Sequence, residues 1–550
     1  MRIQQLLCLL LVVIQGTLFA QNNNNDNIRP AKRVEAHLVE LSQQQNKQIF
    51  TLKNEQQRSI EKVNNYEFLS LDEEKSAALH YEAPAAFNLE MPLADGEALS
   101  LQLVRVDFPD PVITESATRA PVAVKHAIHY QGIVAGDPNS LVALSILEDE
   151  VIGLVSADQL DGNWVLGKMS AEDAQARSET NDYVFYHDLA VFQGETFSCG
   201  TPDSGEGYTR EELEEVVDGG RSTDDCVKIY FEVNYDIYQN KGSIQATVQY
   251  VEALFNQVAV IYANEQVNLT ISEIMVWNTP SPYNSTSSGQ MLTAFQNNRN
   301  SFNGDLGQLL SYQASGGIAV VDGLCHPYSI ARMSYAGIGS TFQQVPTYSW
   351  SVMVVAHELG HLLGSQHTHA CVWNGNNTAI DGCPGYTEGS CGNPGSPSAG
   401  GTIMSYCHLT QVGINFNQGF GNQPGNLIRN KIAAATCTTA CAGGSGGGNG
   451  GGGNGGGNGG GNDEPNPPTC AQEQLILRLQ LDTYSPETSW DVRNAQGAIV
   501  ASGGPYGKDV ANQLILDTLC LPEGCYTFKI VDAYNDGICC AYGQGVTTLP

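Results

Sequence analysis

The sequence predicts a multidomain protein: a central α/β domain, a β-rich region before it and a small β-sandwich after it. Three observations carry this. The chain has 550 residues, more than a single hydrophobic core organises. A run of glycine, asparagine and proline over residues 442–468 lacks the side chains for a core and reads as a flexible linker. From about residue 224 onward, strand-like segments alternate with long segments of helical spacing, the pattern of an α/β layer.

The N-terminus, "MRIQQLLCLLLVVIQGTLFAQ", has one arginine, an apolar run and Ala20 before polar residues. It reads as a secretory signal peptide, residues 1–20, too short and wrongly flanked to span a membrane. An exported, extracellular protein is expected. No later segment has 18 consecutive apolar residues, so no membrane insertion is expected. The 58 acidic against 26 basic side chains give a formal net charge of −32. Such a surface repels nucleic acid and anionic lipid, which excludes both as partners, and it keeps an exported protein in solution. A monomer is expected. Residues 21–223 hold alternating segments such as "ALSLQLVRVDF" and "SLVALSILEDEVIGLVS", hence a β-rich region, and end in the acidic stretch "GEGYTREELEEVVDGGRSTDD".

In the central region, residues 224–441, "CVKIYFEVNYDIY" reads as a strand and "SIQATVQYVEALFNQVAVIYANE" as a helix. "VNLTISEIMVW" is again a strand, "GQMLTAFQNNRNSF" a helix and "GGIAVVDGL" a short strand. A further helix begins near Ser349, and after Gly364 the pattern becomes loop-rich. Past the linker, residues 469–550 contain short alternating strands, as in "QLILRLQLDTY" and "CYTFKIVDAY". They suggest a small β-sandwich. Its final "GVTTLP" resembles the start of another strand, which suggests a truncated domain. Asp532, Asn535 and Asp536 form either an acidic turn or a Ca²⁺ site.

Of 15 cysteines, Cys8 leaves with the signal peptide. Eight lie from Cys226 to Cys441 and can pair completely; Cys470, Cys520, Cys525, Cys539 and Cys540 lie past the linker; Cys199 stands alone.

"VMVVAHELGHLLGSQHTHACVW" holds four of the chain's 11 histidines. On a helix, His357 and His361 project from one face a turn apart and can hold one Zn²⁺. Gly364 permits a break in the chain, and His367 returns from the loop as third ligand. Three nitrogens leave a fourth position for water, from which Glu358 is placed to take a proton. His369 falls outside this spacing, as a loop residue or a support for the ligands. A thiolate is also a good zinc ligand, so Cys199 is a candidate for the fourth position in a latent form; a disulfide to a C-terminal cysteine and an idle thiol are the alternatives.

The run His357-Glu358-x-x-His361-x-x-Gly364-x-x-His367 resembles the signature of the metzincin zinc endopeptidases, and "GGTIMSYC" supplies Met404 where those proteins have a methionine turn. Within that clan the chain is most similar to the reprolysin-like, or adamalysin-like, group in its secreted bacterial form with a prodomain. "CVKIYFEVNYDIYQN" resembles their first strand, "GGIAVVDGLC" their substrate-binding edge strand and "HYQGIVAGDPNSLVALSI" part of their prodomain. Two positions differ: adamalysins have Asp where this chain has Thr368, and Tyr406 resembles astacins, serralysins and pappalysins.

The resemblance implies a twisted mixed sheet with long helices and a loop-rich C-terminal subdomain. It implies a zymogen that hydrolyses peptide bonds of protein or peptide substrates through a zinc-activated water, with Glu358 as general base. Residues 21–223 become an inhibitory prodomain with Cys199 as its latch, released by cleavage for which Arg210 and Arg221 are candidates. The substrate would lie along residues 316–321, on Gly317, Ile318 and Ala319. Tyr406 either assists catalysis or is a buried structural tyrosine, and Phe416 and Phe420 either line a pocket or fill the core. By analogy Cys325 joins Cys437 or Cys441. The other reading is a non-catalytic adhesion or matrix-binding protein on a protease scaffold; the intact Glu358 and three histidines weigh against it.

Overall fold

The computed structural model describes residues 28–53, 65–94, 96–148, 150–169, 181–188, 199–201, 207–214, 225–339 and 348–441 of the first part of the chain. In the last part it describes residues 473–481, 485–494, 498–506, 514–521, 526–532 and 546–548. The signal peptide, the linker, Arg221, Asn535, Asp536 and the cysteines at 8, 470, 525, 539 and 540 lie outside the described residues. The chain divides into two units, Met1–Gly447 and Gly448–Pro550.

The middle layer of the first unit is the helix Ile244–Asn264. Ser243 starts it, its hydroxyl accepting from the amide of Ala246 at 3.1 Å. Every residue from Thr247 to Ala263 is buried. A helix buried on all sides needs a covering layer on each, and two sheets supply them. One has seven strands, with Asp225–Val233, Asn268–Val276, Leu306–Ser311 and Met333–Gly337 mutually parallel and Gly316–Ala319 antiparallel at one edge. The other has nine antiparallel strands, all from residues 50–187. In its strand Asp137–Ile146, Leu141 and Ala143 join the core around the helix while Val142 and Leu144 join a second core on the other face. Period-two alternation thus serves two apolar layers; each fully buried branched side chain contributes roughly 1.5–3 kcal/mol.

Several elements differ from their sequence reading. "CVKIYFEVNYDIY" is a strand only to Val233; Asn234 caps a helix, Tyr235–Lys241, by accepting from the amide of Tyr235 at 2.8 Å. The strands Leu306–Ser311 and Met333–Gly337 were not expected. Both are buried on both faces, so no polar alternation marks them. The β-rich N-terminal region is also not a separate body. Its strand Val112–Glu115 pairs in parallel with Asn268–Val276 and extends the seven-stranded sheet.

The contact between the nine-stranded sheet and the rest of the unit mixes apolar packing with polar bonds. Asn256 on the central helix donates to the carbonyls of Tyr130 and Leu144, and Asn163 donates to the carbonyl of Ile414 at 2.7 Å. His126 and Asp188 are titratable groups within it. His126 pairs through Nδ1 with the Glu252 carboxylate on the central helix, with Asp110 at 4.0 Å from its Nε2; the bond to Glu252 raises its pKa. Asp188 is buried against Asn163, and burial pushes its carboxyl up to about 7, against hydrogen bonds from Asn163 and Ser349. Both folded values lie above the unfolded ones. Their stabilisation is therefore complete below the unfolded pKa and lost as pH rises through the folded value. His129, held to about 3 by burial, stays neutral above pH 6.5. Limited proteolysis of the full chain should release the N-terminal region faster at pH 8.5 than at pH 6.5, and Asp188→Asn should flatten that dependence. Equal rates at both pH values, after correction for the protease's own profile, would contradict it.

The second unit has two three-stranded sheets, one of Leu514–Leu521, Glu473–Gln480 and Val546–Thr548, the other of Ile499–Gly503, Thr488–Asn494 and Tyr526–Asp532. Leu477 and Leu479 from the first and Trp490 and Val492 from the second share one apolar cluster. Among the described residues no helix is long and apolar enough to cross a membrane.

Candidate active site

The helix Tyr348–Leu362 carries His357 and His361 on its buried face. Gly364, at φ +102°, turns the chain, and His367 comes back from the loop. Each imidazole is held by its Nδ1: His357 against the carbonyl of Ile403 at 2.8 Å, His361 against that of Ser365 at 2.7 Å, His367 against the Glu388 carboxylate at 2.9 and 3.1 Å. An acceptor facing Nδ1 places the proton there and leaves Nε2 with a free lone pair. The three Nε2 atoms converge, His361 lying 3.1 Å from both His357 and His367.

Cys199 arrives from the N-terminal region. Its Sγ lies 3.4 Å from His361 Nε2 and 3.7 Å from Glu358 Oε2. Sulfur and three nitrogens lie within 4.8 Å of one another, all buried. Cys199 is unpaired, while the eight cysteines of the central region pair as Cys226–Cys441, Cys325–Cys437, Cys371–Cys391 and Cys383–Cys407.

The donor chemistry fits a cation. Two Nε2 lone pairs facing each other at 3.1 Å repel, since neither carries a proton to share; a positive ion between them reverses the sign. Ligand nitrogens on one tetrahedral zinc lie roughly 3.4 Å apart. Burial holds His357 and His361 well below the usual range, so they are neutral, as ligands must be. Burial also pushes the Glu358 carboxyl well up, and burial and Glu358 push the Cys199 thiol up; a bound cation would favour the ionised form of both.

Met404 sits under the centre. Its carbonyl accepts from the amide of Thr368 at 3.1 Å, and a Cβ on Gly360 would come within 2.6 Å of its sulfur. Gly360 therefore has to be glycine for the turn to approach, which the histidine spacing alone did not reveal. The Tyr406 hydroxyl accepts from the Cys199 amide at 2.9 Å and donates to its carbonyl at 3.2 Å. Gly317, Ile318 and Ala319 lie on the edge strand, and the Cys199 segment runs beside them in parallel: the Gly200 amide donates to the Gly317 carbonyl at 2.8 Å and the Ala319 amide to Thr201 Oγ1 at 2.9 Å. Phe416 and Phe420 are buried in the main core, Phe420 with its ring 4.9 Å from Tyr262, so they do not line an open pocket.

Glu388 and residues 207–214 were invisible in the sequence, whereas the reading of His369 as a loop residue or a support for the ligands allowed for its position. Glu388 comes from 21 residues past His367, within the loop closed by Cys371–Cys391, at no regular spacing. His369 stacks on His367 at 14°, with Nε2 3.3 Å from Glu388 Oε1. Residues 207–214, which the sequence reading placed with the N-terminal region, pack against the back of the site. The Tyr208 hydroxyl donates to the Gly364 carbonyl at 2.7 Å and accepts from the Gln366 amide at 3.1 Å, while Asn426 and Asn430 cap Leu213 and Glu212. Arg210 begins the short helix Arg210–Leu213 in this strap.

Comparison with known proteins agrees with this geometry. The family Reprolysin_5, described as metallo-peptidase family M12, matches residues 223–415. No curated protein matches the chain. Among solved structures, that of metalloproteinase-II from Bacteroides fragilis aligns at 10% identity and a TM-score of 0.33, covering 56% of this chain and 90% of that one; nothing further follows from a likeness at that level. The match reaches from the strand Asp225–Val233 past the methionine turn, over less than half of the chain, and it supports a reprolysin-like metallopeptidase domain with metalloendopeptidase activity in residues 223–415.

Proposed function

We propose that the chain is an exported zinc endopeptidase made as a zymogen, in which the region up to Cys199 is the inhibitor and His357, His361 and His367 hold the metal. The observation that carries this is the four-donor cluster: one sulfur from the N-terminal region and three nitrogens from the family-matched domain, within 4.8 Å of one another. A zinc ion there supplies a Lewis acid for a peptide carbonyl and an acidified water. The disulfides support an oxidising, extracellular setting. The last unit, past the linker, is proposed as an accessory β-sandwich without chemistry.

The chain's own residues divide the remaining work. Glu358 Oε1 is buried without a hydrogen-bond partner, and it takes the proton of the attacking water and returns it to the leaving amine. The edge strand Gly316–Ala319 pairs with an extended substrate backbone. In the latent form Cys199–Thr201 occupies that edge, which blocks substrate and metal together. Departure of Cys199 frees the Tyr406 hydroxyl to donate to the developing oxyanion.

The test is metal analysis with casein digestion by the processed protein. One zinc per chain and activity lost on chelation are expected; hydrolysis that survives chelation refutes the proposal. The edge strand gives a further prediction. A Cβ at Gly317 would collide with the Glu358 carboxylate. Gly317→Ala should therefore displace the base and lower kcat by about 10²-fold, with zinc content unchanged. Wild-type kcat in that variant would show that Glu358 is not held by this contact.

A further inference from the structure

The three imidazoles are not held alike. His357 and His361 lie on a helix, and each gives its Nδ1 proton to a neutral main-chain carbonyl. His367 lies in a loop, and its acceptor is a carboxylate, with Glu388 oxygens at 2.9 and 3.1 Å. One of those oxygens also lies 3.3 Å from Nε2 of His369, whose ring stacks on that of His367.

Resting on the reading of this centre as a zinc site, we propose that Glu388 is a positioning residue that sets the tautomer and ring plane of His367, with the stacked ring of His369 as a backing plate. The carboxylate is itself held firmly. The Glu388 amide donates to the His369 carbonyl at 2.9 Å, its carbonyl accepts from the Cys371 amide at 2.7 Å, and the Cys371–Cys391 disulfide closes the loop. The loop side chain therefore inherits the rigidity of a short ladder. A charged acceptor bonds an N–H more strongly than a carbonyl does and makes the opposite nitrogen a better donor to a cation. Of the three ligands, the one without a helix to orient it has the anionic partner. Tyr406 closes the other side, its ring 4.6 Å from His369 and 4.8 Å from His367. His367 is thereby fixed by the Glu388 bond at one edge and by two ring contacts.

The test uses the full chain and measures zinc affinity by competition with a chromogenic chelator. It also measures the unfolding midpoint of each metal-free variant. Glu388→Ala is expected to weaken zinc binding by roughly 10–100-fold. Glu388→Gln keeps an acceptor but no charge and should fall between the two. The metal-free midpoints should stay close to the wild-type value, because the role concerns the ligand and not the loop. Wild-type affinity in Glu388→Ala overturns the proposal, as does a loss of affinity that merely follows a lowered metal-free midpoint. Should the alanine variant fail to fold, the glutamine variant decides: unchanged affinity there refutes the role of the charge. A wild-type chain that takes up no zinc would instead defeat the reading of the centre.

Discussion

Glu358→Ala in the processed protein is expected to lower kcat on the order of 10²–10⁴-fold, with zinc content and KM close to wild type. The carboxylate is fully buried, one oxygen has no partner, and the other faces the position that Cys199 takes in the latent form. Glu358 is not a member of the four-donor cluster, so its removal should leave the metal in place. A group that acts only on the proton in flight contributes to the transition state and little to substrate binding, which predicts a fall in kcat without a rise in KM. The glutamine variant keeps the side-chain volume and should be nearly as inactive, separating the loss of a base from the opening of a cavity. Hydrolysis within a few-fold of wild type in both variants would remove Glu358 from the mechanism.

The second large effect concerns the full chain before processing. Cys199→Ala should convert a latent protein into an active or self-digesting one. A tethered ligand acts at an effective concentration of about a millimolar. A thiolate binding the centre with micromolar strength would then leave on the order of one molecule in 10³ open, and its removal should raise activity by a comparable factor. The thiol is one of several anchors of this segment. Gly200 and Thr201 still pair with the edge strand, and the Cys199 amide and carbonyl still meet Tyr406. Part of the inhibition should therefore survive, and the variant should be more active than the full wild-type chain yet less active than the processed one. A variant as latent as the wild type would assign inhibition to the strand pairing alone. Cys199→Ser, which keeps the shape, controls for misfolding.

These predictions could be framed from the sequence to different degrees. The histidine spacing alone was enough to foresee the convergence of His357, His361 and His367, because i, i+4 on a helix and a glycine break are local geometry. The isolation of Cys199 was also legible, by counting. Its partners were not: the sulfur meets His361 across 162 residues, and the Cys199 amide meets the hydroxyl of Tyr406 across 207. Glu388, Gly360 and Tyr208 left no periodic signal, since each acts through a contact with another segment of the chain. The strands Leu306–Ser311 and Met333–Gly337 escaped because burial on both faces erases alternation. The N-terminal region looked independent in sequence, yet Val112–Glu115 completes the seven-stranded sheet, and strand pairing between distant segments has no local code.

What the sequence determined by itself was the inventory of chemistry: which donors exist, which of them share a helix face, which cysteine is left over and where the linker falls. The tertiary structure decided which donors meet and what holds them. Periodicity is a property of one segment, whereas a buried site is a property of several segments packed together. The carboxylate behind His367, the sulfur on the open side of the cluster and the methionine beneath the helix come from three separate loops, and only packing brings them to one point.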